Sequence, residues 1–280
     1  MEILRTVAEL RSWSRERRNS GQKVGLVPTM GALHAGHASL IRAAKESCGS
    51  VAVSIFVNPT QFGPNEDFAR YPRSFEADCV LAEAAGASAI FAPSVEELYP
   101  AGAETFVEVE GLGDRLDGQS RPGHFRGVAT VVAKLLIAAE PDRAYCGQKD
   151  AAQVAVLRRM VTDLLLPAEI VVCSIVREAD GLALSSRNVY LNVAERRQAL
   201  VLSRVVWLVE AMAAGGERRT DVLIEAARRA FASEPGVRVD YVELVDWATL
   251  EPVEIAVLGS LFAVAAWVGA TRLIDNTVLG

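Results

Sequence analysis

The sequence predicts an α/β protein in which a doubly wound parallel sheet is followed by a second, smaller α+β domain. Three observations predict it. Ser50 to Val57 (SVAVSIFV) is a nearly continuous β-branched and apolar run, as expected of a strand buried on both faces of a parallel sheet. Apolar runs alternate with helix-like stretches up to about residue 175, the rhythm of βαβ units. After Val176 the rhythm changes to two helices and then three strand-like runs, so a boundary between domains 1–175 and 176–280 is expected there.

In chain order, Lys23 to Val27 is a short apolar strand ended by Pro28, followed by a glycine-bearing loop and a helix-like stretch around Ser39 to Lys45. Asn58-Pro59 ends the Ser50 to Val57 strand. Phe75 to Ala85 reads as a helix and Ala89 to Ala92 as a strand. A helix over Gly127 to Ala139, a strand over Arg143 to Cys146, a helix over Ala151 to Thr162 and a strand over Glu169 to Val176 complete the alternation. The second domain is expected to contain helices over Val193 to Ala213 and Asp221 to Ser233, then strands at Val239 to Leu244, Leu261 to Val268 and Thr271 to Leu279. Gly215-Gly216 and Pro235-Gly236 are its turn punctuation. In such a sheet ligands sit beyond the carboxyl ends of the strands, which directs attention to the loops after Val27, Val57 and Cys146.

Composition narrows the function. With 280 residues, 51% hydrophobic, the chain has ample core, and a net charge of −6 argues against gripping nucleic acid. The apolar run Leu261 to Val268 falls far short of the roughly 20 residues of a bilayer span. The start, Met1-Glu2-Ile3-Leu4-Arg5, lacks the pattern of a secretory leader. The four cysteines, Cys48, Cys79, Cys146 and Cys173, are far apart and read as free thiols of a reducing cytoplasm.

All three histidines lie in polar, glycine-bearing loops: His34 and His37 in Met30-Gly-Ala-Leu-His-Ala-Gly-His37, and His124 in Arg121-Pro-Gly-His-Phe-Arg-Gly127. A spacing of three puts His34 and His37 on one face of a helix's first turn, where free N–H groups and the dipole favour an anion such as the phosphates of ATP. A structural N-cap or a metal pair would use the same residues, but no third ligand at suitable spacing is present. Lysine is rare, with Lys23, Lys45, Lys134 and Lys149 against 25 arginines. Lys149 sits in Gly147-Gln-Lys-Asp150, between a strand and a helix, where a compact ammonium can reach phosphate oxygens. Leu184-Ser-Ser-Arg187 supplies two hydroxyls and a guanidinium, donors suited to charge developing on a transferring phosphoryl group.

Together these features resemble the nucleotidyl-transferase superfamily with HIGH-type and KMSKS-type motifs. The details are closer still. Val27 to His37, Phe56-Val-Asn-Pro-Thr-Gln-Phe-Gly63, Tyr71-Pro-Arg73, Arg121 to Gly127, Gly147 to Asp150, Asp180-Gly-Leu-Ala-Leu-Ser-Ser-Arg-Asn188 and Leu273-Ile-Asp-Asn276 resemble the pantothenate synthetase family of AMP-forming pantoate–β-alanine ligases along the whole chain. The resemblance implies a Rossmann-like nucleotide- and pantoate-binding domain with the smaller domain closing over the site. It implies that ATP and (R)-pantoate give pantoyl adenylate and pyrophosphate, and that β-alanine then attacks the acyl carbon. ATP contacts are implied at Met30, Gly31, Ala32, Leu33, His34, Ala35, Gly36, His37, Gly147, Gln148, Lys149, Asp150, Val176, Leu184, Ser185, Ser186 and Arg187. His37, the family's proton donor, would act with His34, Lys149, Ser185, Ser186 and Arg187. Pantoate would be held by Gln61 and Gln153, with Met30 and Phe62 as apolar wall; neutral amides recognise its hydroxyls without neutralising the attacking carboxylate.

Mg²⁺ accompanies ATP in this reading, and Asp78 is the carboxylate expected to approach it. The resemblance also implies a cytoplasmic homodimer with small-molecule partners, to which the apolar Ser50 to Val57 region is a candidate contributor. The chain departs from the family pattern at Gln148, where glutamate is usual, at Ala151 and Ala152, before the pantoate glutamine, and at Asp117. A related nucleotidyl transferase acting on another acid is the main rival, and the acid-pocket residues around Gln61 and Gln153 speak against it.

Overall fold

The computed structural model describes residues 1–64 and 66–280. Its larger sheet is built from β1 (Glu2–Leu4), β2 (Val24–Thr29), β3 (Ser50–Ile55), β4 (Ala89–Phe91), β5 (Arg143–Gly147) and β6 (Glu169–Cys173). All neighbours pair in parallel, in the order β1-β4-β3-β2-β5-β6. The intervening helices are α1 (Val7–Asn19), α2 (Ala35–Ser47), α3 (Phe75–Ala85), the short α4 (Val95–Leu98) and α5 (Asp117–Ser120), α6 (His124–Ala139) and α7 (Ala151–Asp163). The chain winds outward from β2 through β3 to β4, then returns to the other side of β2 for β5 and β6. The loops leaving β2 and β5 therefore diverge, and a crevice opens between them at the carboxyl edge.

β3 lies between β2 and β4, with Val51, Ala52 and Val53 fully buried. Its apolar run is explained by the two covered faces, so the expected contribution of this region to an interface between copies is corrected: β3 has no free face. The first strand and helix lie outside the elements that the sequence pattern predicts. β1 is too short to show a period, but Thr6 and Glu9 form a reciprocal capping box at the start of α1, a signal written in the sequence as Thr-x-x-Glu. The expected strand end at Val176 is also corrected. β6 stops at Cys173, and residues 174 to 176 instead line the crevice.

The smaller lobe comprises α8 (Val193–Ala214) and α9 (Thr220–Ala232) against an antiparallel sheet of β7 (Val237–Asp246), β8 (Ser260–Val268) and β9 (Thr271–Val278). Central β8 is buried on both sides, which is why its sequence does not alternate. Phe262, Val264 and Ala266 join Leu202, Val205 and Leu223 of the two helices, whereas Leu261 and Ala263 join the core formed by α6 and α7 of the larger lobe. One apolar cluster thus spans both lobes, while a second belongs to the smaller lobe alone. Between them Asp117 accepts from Arg272 at 2.6 Å and from the Tyr241 hydroxyl at 3.3 Å, so this carboxylate pins the lobes together. No described helix is long and apolar enough to cross a membrane.

Candidate active site

The crevice is lined by the β2–α2 loop, the segment after β3, α6, the β5–α7 turn and residues 174 to 176 and 184 to 187. Its construction begins with the backbone after β2. Gly31 and Ala32 both have positive φ, +86° and +50°, which turns the chain abruptly toward the start of α2. Buried Asp78 holds this bend. One carboxylate oxygen accepts from Ala32 N at 2.9 Å, the other from Leu33 N at 2.8 Å and from the Ser74 hydroxyl at 3.0 Å. Asp78 does not line the crevice, and its carboxylate is engaged by two loop amides and the Ser74 hydroxyl, an arrangement that speaks for holding the bend over the expected approach to Mg²⁺.

His34 is the N-cap of α2, its Nδ1 accepting from Gly36 N at 3.2 Å, and His37 Nδ1 accepts from His34 N at the same distance. The N-cap and phosphate readings of this pair are therefore compatible, because capping uses Nδ1 and leaves Nε2 free. A ring that accepts at Nδ1 is, when neutral, protonated at Nε2. Both rings are held neutral at physiological pH. Burial, then the Lys149 charge, lowers His34 to about 4; burial, then His34 and Lys149, lowers His37 to about 3. The rings lie 4.1 Å apart, and a Cβ on Gly36 would stand 2.9 Å from His34 Cε1, so glycine is needed for the cap to fold over. Two Nε2–H groups are thus offered to the crevice at a helix N-terminus, hydrogen-bond donors rather than imidazolium acids.

Opposite them, Lys149 pairs with Asp150 at 3.1 Å. Burial raises the Asp150 carboxyl, but the adjacent Lys149 ammonium, with the Arg187 charge, brings it below its ordinary range. Ser185 and Ser186 line the same space, Ser185 accepting from Arg187 N at 3.2 Å and Ser186 lying 3.3 Å from the Tyr71 hydroxyl. Arg187 is not a free guanidinium: it forms a fork with Asp67 at 2.9 and 3.0 Å.

A second half of the crevice is amide and hydrocarbon. Buried Asn58 donates to Gln61 Oε1 at 3.0 Å, which turns Gln61 Nε2 toward the Met30 sulfur at 3.1 Å. A thioether is a weak acceptor, so this N–H gains when an oxygen replaces it. His124 serves the same residue from behind: its Nδ1–H donates to Gln61 O at 2.9 Å while Arg121, forked onto Glu66, approaches Nε2 at 2.8 Å. Burial and then Arg121 lower His124 to about 4, so it is neutral also. Gln153 faces the opening from α7, and Val128, Val131 and Val132 of α6 form the apolar floor.

The predicted constellation is therefore largely brought together, with specific differences. Of residues 30 to 37, only Met30, His34, Gly36 and His37 line the crevice; Gly31, Ala32, Leu33 and Ala35 shape the loop. Gly147, Lys149, Asp150, Val176, Leu184, Ser185, Ser186 and Arg187 line it, but Gln148 turns away, donating to Asn276 at 3.3 Å. Phe62 is displaced from its expected place as apolar wall, because it packs edge-on against Tyr71 and Phe68 and Tyr71 takes the lining position. Ala151 and Ala152 are core residues, not pocket residues. Sequence reasoning missed Asn58 and the α6 valines as site residues; an asparagine before Pro-Thr-Gln in a loop already read as an acid pocket was the available signal for the first.

Burial pushes the Cys146 thiol, the cysteine lining the crevice, up to about 12, which leaves it protonated and unsuited to nucleophilic attack. Among the described residues no group of three or more His, Cys, Asp or Glu side chains is arranged to hold a metal. The site offers aligned donors for a polyanion beside a neutral pocket for a small polar acid.

A family model described as pantoate–β-alanine ligase matches residues 2–278. The chain is 61% identical over 291 aligned residues to a pantothenate synthetase from Acidobacterium capsulatum, covering all of this chain and 97% of that one. It is 55% identical to a pantothenate synthetase from Koribacter versatilis, covering all of this chain and 96% of the relative. The crystal structure of pantothenate synthetase from Thermus thermophilus superposes with a TM-score of 0.94 at 46% identity, over 99% of both chains. That of pantoate–β-alanine ligase from Francisella tularensis, complexed with β,γ-ATP and β-alanine, gives 0.80 at 34% identity, over 99% of this chain and 97% of that one.

Proposed function

The chain belongs to the pantoate–β-alanine ligase family and is a ligase, and from that premise we propose how its crevice performs the ligation. ATP and (R)-pantoate form enzyme-bound pantoyl adenylate and pyrophosphate; the amine of β-alanine then attacks the acyl carbon and AMP leaves. The observation that carries this reading is the coexistence, in one crevice, of a phosphate-type donor set and a separate amide-and-hydrocarbon pocket.

A carboxylate needs no general base to attack phosphorus, so the protein's work is alignment and charge stabilisation at the α-phosphate. His34 and His37 donate through Nε2, Lys149 contributes its ammonium and Ser185 and Ser186 their hydroxyls. Arg187 joins them on exchanging Asp67 for phosphate. Gln61 and Gln153 hold pantoate, Gln61 giving up its weak contact with Met30, while the α6 valines and Met30 face the gem-dimethyl group. Magnesium would enter as part of the nucleotide substrate, MgATP, and Asp150, a carboxylate that lines the crevice, would be the residue to hold it. The working unit is taken as a homodimer in the cytoplasm, a setting the four free thiols support.

Pyrophosphate exchange into ATP tests the order of events: it should require pantoate and not β-alanine, with AMP the nucleotide product of the full reaction. ADP and phosphate as products would overturn the adenylate route. His37→Ala should lower kcat on the order of 10²-fold or more while pantoate binding is retained.

A further inference from the structure

Asp275 and Asn276 lie next to each other on β9 of the smaller lobe, 1% and 3% exposed, and neither lines the crevice. Asn276 Nδ2 donates both to Gln148 O at 3.0 Å and to Lys149 O at 2.9 Å, and its Oδ1 accepts from Gln148 Nε2. Its backbone N–H donates to Asp275 Oδ1 at 2.8 Å. Asp275 in turn accepts a fork from Arg177 at 2.6 and 2.9 Å, and Arg177 also donates to Gly181 O at 3.2 Å. Gly181 is the root of the loop that carries Ser185 to Arg187. One dipeptide is therefore tied to both loops that face the phosphates, although these loops leave different strands and lie more than thirty residues apart.

The need for such an anchor follows from the local structure. Gln148–Asp150 is a single 3-10 turn whose N-cap, Gly147, has no side chain to hold it, so the side-chain bonds that tie this backbone in place come from Asn276. Lysine is a point charge on a flexible stem, and only its backbone can be fixed in advance. We propose that Asp275-Asn276 is a positioning unit for catalysis: Asn276 fixes the backbone from which Lys149 reaches the transferring phosphate, and Asp275, through Arg177, refers the 181–187 loop to the same point. This rests on the reading of Lys149 as a phosphate-contacting group.

The test is a double-mutant cycle on the full chain, read as kcat of pyrophosphate exchange at saturating pantoate and ATP. Asn276→Ala should lower kcat about tenfold in the wild-type background and less than about twofold in Lys149→Ala, the non-additivity expected of one group acting through another. Thr277→Val, which removes a bond from the same strand to Glu210 and touches neither loop, should lower thermal stability and leave kcat unchanged. An equal fall in both backgrounds, or wild-type kcat for Asn276→Ala, overturns the proposal. Wild-type turnover by Lys149→Ala instead removes the reading of Lys149 on which it rests, and the proposal with it. If Asn276→Ala does not accumulate folded, the isosteric Asn276→Asp, which loses both donations, carries the same cycle.

Discussion

Histidine shows at the scale of single residues how one side chain serves two tasks. His34 and His37 spend Nδ1 on the helix cap and keep Nε2 for the crevice, and burial near Lys149 keeps them neutral. The consequence for stability has a definite sign. In the unfolded chain histidines take up protons as pH falls through about 6.5, whereas in the folded protein His34 and His124 stay neutral to about 4 and His37 to about 3. The unfolded state binds more protons in that window, so stability declines as pH falls below about 6.5 and keeps declining toward the folded values. Melting temperature measured from pH 7 to pH 5 should fall, and His37→Asn should make the fall shallower; a pH-independent melting curve would contradict the assignment of buried neutral rings.

Asp78 belongs to the same scale. Its carboxylate serves two consecutive backbone N–H groups in a bend that contains a non-glycine residue at φ +50°. Asp78→Asn replaces one acceptor oxygen with a donor facing an N–H, which costs about 1–3 kcal/mol for the unsatisfied pair. The expected outcome is a raised KM for ATP with an unchanged Mg²⁺ concentration at half-maximal rate. A tenfold or larger shift in that Mg²⁺ midpoint would return Asp78 to the metal.

At the scale of elements, the pocket proposed for the acid depends on how closely α6 approaches the 3-10 turn at Pro59–Gln61. Gly127 makes the approach possible: a Cβ there would collide with Thr60 O and stand 2.6 Å from Gln61 N. Asn58 bridges the same seam by donating to Gly127 O at 3.1 Å. Gly127→Ala must push the turn, and Gln61 with it, away from the helix. We expect a loss of about 1–3 kcal/mol in unfolding free energy, as for overpacking generally, together with a raised KM for pantoate and little change in nucleotide affinity measured by calorimetry. Equal loss of both affinities would show that the two pockets are not separable.

At the scale of the whole molecule the lobes are joined by apolar packing. Leu261, Ala263, Val245 and Leu250 of the smaller lobe sit in the same core cluster as Leu135, Val154 and Leu157 of the larger. A fragment ending near residue 175 would expose that surface to water, at about 25 cal/mol per Å² of apolar area. Unfolding of the intact chain should therefore be one cooperative transition in calorimetry, and the 1–175 fragment should not melt cooperatively; two resolved transitions would mean the lobes fold independently.

The sequence by itself determined the architecture and most of the chemistry, since both are written locally. A β-branched run too apolar for a half-exposed strand demands cover on both faces, as β3 shows, and histidines three apart at a helix start must share a face, as His34 and His37 do. Only the tertiary structure decided what each polar group spends its hydrogen bonds on. Asp78, a surface helix residue or metal ligand by its type, turns inward because the bend 46 residues earlier in the chain presents Ala32 N and Leu33 N to it. Tyr71 takes the lining place expected of Phe62 through their mutual packing, and Asn276 reaches Lys149 across 127 residues of chain. These partners are chosen by three-dimensional proximity and by the penalty for leaving a buried donor or acceptor unpaired, and neither is a function of spacing along the chain.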